Sequence, residues 1–247
     1  MLNTLRISTG FTLFTTKAKL ETMQSAVSER NLNSCASIFF QQGTPHRSAS
    51  CLIKRFIDII GSLIGLTILG LIFFPVALAI KLDSSGSILY SQERYGLMGH
   101  SFRIYKFRSM VQNADQLKAQ IKNEAKGLIF KNQNDPRITQ VGRFLRKTSL
   151  DEFPQFWNVL KGEMSLVGTR PPTADEVSKY DVHHWQRLNV KPGLTGEWQV
   201  SGRSLIKDFE DVVQLDLRYQ AQWHPLYDLV LIYKTVLMIL TKRSGAC

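Results

Sequence analysis

Two adjacent carboxylates, Asp151 and Glu152, stand in Ser149-Leu150-Asp151-Glu152, just ahead of an aromatic segment. Gly162-Glu163-Met164-Ser165-Leu166-Val167-Gly168-Thr169-Arg170-Pro171 follows. An ionised carboxylate can attack phosphorus to give an acyl phosphate, or hold a magnesium ion through hard oxygen donors. Arg143 and Arg146 come one or two turns earlier, Arg170 sits in Thr-Arg-Pro-Pro, and Arg203 closes Gln199-Val200-Ser201-Gly202-Arg203. A guanidinium fork matches phosphate oxygens, and the proline after Arg170 fixes its backbone direction. Singly, each arginine reads as a solvated surface charge; their recurrence in Gly/Pro-rich turns is what points to a phosphate site. A competing reading makes Ser149-x-x-Glu152 a capping box, in which Glu152 only satisfies a backbone N–H. Pro154 weakens it, because a helix capped by Ser149 would lose a hydrogen bond there. A helix starting close to Pro154 instead leaves both carboxylates in its entry turn, at a positive helix end.

These residues must be held somewhere, and the most prominent element is apolar. From Ile59 to Ile80 no charged side chain occurs. A helix of that length rises about 33 Å, enough to cross a hydrocarbon core of about 30 Å. A soluble core helix would show a polar face, and this run has none. Pro75 removes one backbone hydrogen bond within it, and Gly61, Gly65 and Gly70 add weak points. Lys54 and Arg55 precede the run and Lys81 follows it, so neither end is marked for translocation. The expectation is a re-entrant helix–break–helix turning near Pro75 with both ends on one face; simple spanning is the second reading. A further apolar stretch, Leu226 to Leu240, carries Asp228 and Lys234 and is too short to span comfortably. Trp223, Tyr227 and Tyr233 suit a C-terminal amphipathic helix lying in the interface, and a core helix is an equal alternative.

Between these segments, Ser87–Gln92 and Ser101–Phe107 predict a small β-hairpin. Helical composition covers Ala114–Lys126, Asn132–Arg137 is a turn or loop, helix signals resume at Val141 and Phe153, and a polar helix runs from Asp208 to about Gln222. The expected fold class is α+β and predominantly helical. The expected domains are a variable tail over 1–50, the membrane helix over 51–82, a cytoplasmic catalytic domain over 83–224, and an interfacial helix and tail over 225–247. No dinucleotide-binding or P-loop glycine pattern is present. A formal charge of +11 and a pI near 9.7 call for an anionic partner: nucleic acid, lipid headgroups or phosphorylated substrates. Cys35, Cys51 and Cys247 form no metal-ligand spacing, and residues 1–50 lack the apolar core of a secretory signal.

Taken together the motifs resemble those of the monotopic bacterial sugar transferases, or polyprenyl-phosphate phosphoglycosyl transferases. The resemblance runs from about Lys54 to Gly245. It is carried by Lys54-Arg55-Phe56-x-Asp58, the apolar run with Pro75, Gln92-Glu93-Arg94-x-Gly96 and Tyr105-Lys106-Phe107-Arg108-Ser109-Met110. Ser149-Leu150-Asp151-Glu152, Trp157-Asn158-Val159-Leu160-Lys161-Gly162-Glu163-Met164-Ser165 and Arg170-Pro171 continue it, and Lys191-Pro192-Gly193-Leu194-Thr195-Gly196 and Lys242-Arg243-Ser244-Gly245 complete it. The resemblance implies an anchor on the cytoplasmic face of the bacterial inner membrane and a Mg²⁺-dependent two-step transfer. Asp151 would attack the β-phosphate of a UDP-sugar, UMP would leave, and undecaprenyl phosphate would take the phosphosugar. Glu152 would serve as metal ligand or general base, and Arg170 would bind phosphates. Its partners would then be the donor, the lipid acceptor and membrane lipids, with no nucleic acid; homo-oligomerisation stays open. Three positions depart from the family pattern: Phe74 before Pro75, Tyr95 before Gly96, and Thr169 where proline is usual. Two alternatives stand beside this reading: single-step transfer with Asp151 only binding metal, and a non-catalytic, membrane-tethered anion-binding module.

Overall fold

The computed structural model describes Ala36, Phe39, Phe40 and residues 43–202 and 205–241. Arg203, Cys35, Cys247 and Lys242-Arg243-Ser244-Gly245 lie outside the described residues, as does most of the expected N-terminal tail. Where the residues before Cys51 are described, they rest on the body. Arg47 Nη2 donates to the Trp223 carbonyl at 2.6 Å, and Phe40 meets the Trp185 ring edge-on.

The protein is mostly helical, with two small sheets. Helix α1 (Leu52–Asp83) is 32 residues long, apolar enough to cross a membrane by length and composition. It runs unbroken through Pro75, which corrects the expected division into two helices. A proline inside a helix removes one hydrogen bond and leaves the neighbouring ones in place, so the chain bridges the defect. One stripe of α1 faces the body: Lys54, Asp58, Ser62, Ala77 and Ile80 are buried. The other faces expose Leu52, Phe56, Leu71, Phe74 and Leu82. An apolar surface of that extent marks a membrane or protein contact and not a water-facing helix.

Strands β1 (Leu89–Tyr95) and β2 (Ser101–Phe107) form the expected antiparallel hairpin, starting two residues later than read. The long helix expected over Ala114–Lys126 is one α-turn, Ala114–Leu117, followed by a 3-10 turn to Gln120. Past it, the Asn123 side chain accepts from the N–H groups of Ala125 and Lys131 and donates to the Ile129 carbonyl, holding an irregular loop. Asparagine competes with helix in this way. Helix α2 (Gln140–Lys147) is capped by Thr139. A 3-10 turn, Leu150–Gln155, leads into α3 (Phe156–Lys161). A parallel pair that the sequence pattern had not signalled joins β3 (Ser165–Val167) to β4 (Gly193–Thr195). Here a Cβ on Gly193 would lie 2.1 Å from the Gly168 nitrogen, so only glycine allows the strands this close. Helices α4 (Phe209–Gln222) and α5 (Pro225–Leu240) end the described chain.

Helix α5 packs one face into the body and leaves the other exposed. Asp228 and Leu231 are buried in the core, while Leu226, Tyr233, Val236 and Leu240 are exposed. Its anchor is a buried ion pair, Lys54 Nζ to Asp228 Oδ2 at 2.6 Å. The same ammonium donates to the Val167 carbonyl and the Tyr219 hydroxyl, and Trp223 Nε1 donates to Asp228. Four contacts at one node offset the desolvation of the two charges. Removing one partner leaves an uncompensated charge, at a cost of about 3–5 kcal/mol. Lys54→Met and Asp228→Asn should therefore each lower the melting temperature in detergent substantially, and the Lys54→Met/Asp228→Leu pair should recover most of the loss. A double variant no more stable than the singles would show that the node is not a coupled pair.

Candidate active site

The Leu150–Gln155 turn is entered through Ser149, whose φ of 57° lies in the left-handed region and whose side chain caps nothing. The capping box therefore does not form. Pro154 sits inside this turn, where its fixed φ suits 3-10 geometry. Asp151 is buried to 7% exposure. The Glu152 carboxylate reaches across to β2 and accepts from Lys106 Nζ at 2.7 Å. Helix α3 has only six residues, so its dipole is small, and nearby cations supply the positive field instead.

Arg146 comes from the last turn of α2, and its Nε donates to Ser109 Oγ at 2.9 Å. A Cβ on Gly142 would meet the Ser109 carbonyl oxygen at 2.0 Å, so glycine there lets α2 lie directly on the chain leaving β2. Burial pulls the Arg146 guanidinium below its usual range, while Asp151 and then Asp135 hold it up. Arg170 extends from the loop after β3 and pairs with Glu176 at 3.0 Å. Burial works to raise the Glu176 carboxyl, but Arg170, the Thr173 N–H and Arg94 outweigh it, and the group sits below the usual range. Thr169, which replaces a proline in the family pattern, stiffens that loop by other means. Its hydroxyl donates to the Arg187 carbonyl at 3.1 Å and its own carbonyl accepts from Gly193 N.

These groups line one cleft of about 960 Å³, which ten Lys/Arg and six Asp/Glu border among the described residues. Of the residues singled out from sequence, Asp151, Glu152, Arg146 and Arg170 meet there. Arg143 does not: it is exposed and outside the cleft lining, because Gly142 and Leu145 take the inward face of α2. Reading the sequence for arginines in turns missed Lys106, Arg94 and Arg108, which also line the cleft. The signal was present as strand alternation. Tyr90, Gln92 and Arg94 share one face of β1, and Tyr90 is paired with Lys106 in register. Burial, with Arg170 close by, lowers Arg94 to about 10. Within the cleft burial lowers Arg94 and Arg146, whereas the hydrogen bonds to Asp135 raise Arg137.

Two adjacent carboxylates in a cation-lined cleft fit magnesium, which takes one or two carboxylates and completes its shell with phosphate oxygens. Asp151 and Glu152 are the hard oxygen donors such an ion would use. Among the described residues a further titratable group with metal-like spacing, Asp181, His183 and His184, contains imidazoles and does not line the cleft. There His184 Nδ1 accepts the Asp181 N–H and Nε2 faces Glu210 at 2.7 Å, as part of a helix cap.

Comparison with known proteins now adds to this geometry. Residues 49–242 match the family described as bacterial sugar transferase. The galactosyl transferase CpsE of Streptococcus agalactiae is 48% identical over 79% of this chain and 44% of its own length. The undecaprenyl-phosphate galactose phosphotransferase of Salmonella typhimurium is 42% identical over 81% of this chain and 43% of its own length. This chain thus spans less than half of those two relatives. It covers 97% of the exopolysaccharide production protein ExoY of Sinorhizobium fredii, at 37% identity. By the extent of the match and by these relatives, the chain belongs to the bacterial sugar transferase family.

Proposed function

We propose that the protein is a membrane-anchored phosphoglycosyl transferase that moves a sugar phosphate from a UDP-sugar to a polyprenyl phosphate such as undecaprenyl phosphate. The observation that carries this reading is Asp151, nine-tenths buried in a cation-lined cleft beside the Lys106–Glu152 pair. Related proteins with the names undecaprenyl-phosphate galactose phosphotransferase and UDP-glucose:undecaprenyl-phosphate glucose-1-phosphate transferase supply the substrate class.

In this mechanism an Asp151 carboxylate oxygen attacks the β-phosphorus of the donor. The bond from that phosphorus to the bridging oxygen breaks, UMP leaves, and the sugar phosphate remains on Asp151 as an acyl phosphate. An oxygen of the lipid phosphate then attacks the same phosphorus and displaces the Asp151 carboxylate. Arg94, Arg146 and Arg170 bind and orient the phosphate oxygens, and their fixed positions favour the charge that develops there. Lys106 holds Glu152 oriented beside the reacting carboxylate. Magnesium, when bound by Asp151 and Glu152, would neutralise the diphosphate and stabilise the departing UMP.

The lipid acceptor keeps its phosphate at headgroup depth, so the cleft has to be held there. Contacts at both ends of α1 support a non-spanning anchor on the cytoplasmic face. Lys54 joins α5 near one end, and Arg108 Nη2 donates to the Ile80 and Ser84 carbonyls at the other. A helix fixed to one body at both ends lies along the bilayer surface or dips into it, with its exposed apolar faces toward lipid.

Asp151→Asn preserves shape and removes the nucleophile; UMP release from UDP-sugar with Mg²⁺ should fall by roughly 10³-fold or more with the melting temperature unchanged. An undiminished UMP yield would exclude Asp151 as nucleophile and leave single-step transfer or a binding module. Truncating a charge-assisted hydrogen bond costs about 1.5–3 kcal/mol, so Lys106→Met should lower kcat/KM about 10- to 100-fold in the same assay. An unchanged kcat/KM would remove Lys106 from the machinery.

A further inference from the structure

Beside the carboxylate pair the cleft continues into a smaller recess of about 130 Å³, bordered by Lys106, Glu152 and Arg170 on the phosphate side. Its remaining wall includes Gln155, Trp198 and Gln199, exposed to 4%, 7% and 8%. Each carries a buried polar atom without a hydrogen-bond partner: Gln155 Nε2, Trp198 Nε1 and Gln199 Oε1. Such a group costs about 1–3 kcal/mol wherever it is left unpaired, so three around one small space need an explanation. Arg108, Asn158 and Trp185 also hold buried side-chain atoms without a partner, so what sets the recess apart is that three such residues share one wall, with Arg94 Nε unpaired beside them.

The geometry points to this recess as the pocket that reads the hexose of the donor, with Gln155, Trp198 and Gln199 as its specificity-determining residues. The inference rests on the transfer reading above and names the residues for one part of that substrate. In a UDP-sugar the hexose is joined through a single oxygen to the phosphorus that Asp151 attacks. It must therefore lie immediately beside the groups that hold that phosphate, and this recess shares Lys106, Glu152, Arg94 and Arg170 with the cleft. The larger cleft is left for the nucleotide. Gln155 and Trp198 bring N–H donors to this wall and Gln199 a carbonyl acceptor, and a sugar hydroxyl donates and accepts at once. Gln155 belongs to the same short turn as Asp151, so recognition of the sugar and placement of the nucleophile share one rigid element. Trp198 is set from below by the Lys131 ammonium, 5.1 Å from its ring centroid. A site built to hydrogen-bond a hydroxyl rejects an analogue lacking it far more strongly than an apolar pocket rejects a missing methylene.

The test uses the full chain in detergent or nanodiscs, with Gln155→Met and Gln199→Met, which nearly keep shape and remove the polar group, and Trp198→Phe, which removes the N–H and also shortens the ring. Affinities for UDP-galactose, UDP-glucose and UMP are measured by displacement in the Asp151→Asn background, where chemistry is switched off. The expected result is at least tenfold weaker binding of one or both UDP-hexoses, with UMP affinity within twofold and so reporting an intact fold. On the unsubstituted recess, at least one singly deoxygenated UDP-galactose should bind tenfold or more weaker than its parent, and that penalty should vanish in the matching variant. If UDP-hexoses and UMP weaken together, or if every deoxy donor binds like its parent, the recess does not read the sugar. Retained UMP release by Asp151→Asn in parallel turnover assays would count against the transfer chemistry and leave the binding result standing.

Discussion

The Lys54 ammonium is the interaction on which the rest of the arrangement depends. It reaches Asp228 of α5, the Tyr219 hydroxyl of α4 and the Val167 carbonyl of β3 from the first turn of α1. One turn on, Asp58 accepts from Ser165 Oγ and from the Leu166 N–H. Two side chains of α1 thus clamp β3, and β3 leads within three residues to Arg170. The placement of α1 and the position of Arg170 are set by the same buried contacts. Charges this deeply buried cost several kcal/mol each to desolvate, which makes the alternative arrangements with unpaired partners expensive and the observed one specific.

From that frame the charge pattern of the cleft follows. Lys106 and Arg94 arrive on the hairpin, Arg146 on α2 and Arg170 on the β3–β4 connection, so elements distant in sequence converge on one carboxylate pair. The convergence gathers more positive charge than the protein itself neutralises, and burial then lowers Arg94 and Arg146. Such preorganised cations would meet an arriving phosphate anion without reorientation.

Much of this was legible in the sequence, and the failures have physical reasons. The apolar helix, the hairpin, the polar C-terminal helix and the Asp151–Glu152 pair follow from periodicity, composition and proline placement. The break at Pro75 did not appear, because one missing hydrogen bond in a 32-residue helix packed along one side is tolerated. The helix over Ala114–Lys126 failed because Asn123 offers the backbone other partners. β3 and β4 are three residues each and pair in parallel across a long connection, which leaves no local pattern to read. Lys106 was hidden in an amphipathic strand, and Gln155 and Gln199 become visible only when unpaired buried atoms are traced in three dimensions.

The account turns on Asp151 carrying the sugar phosphate between donor and lipid. Intact-mass and peptide-mass measurement of the protein incubated with a UDP-sugar and Mg²⁺, without lipid acceptor, tests this most directly. The account predicts a mass gain of one sugar phosphate on the peptide containing Asp151, discharged on adding undecaprenyl phosphate and absent from the Asp151→Asn protein. Undecaprenyl-phosphate-dependent UMP release with Asp151 unmodified at every time point would contradict it.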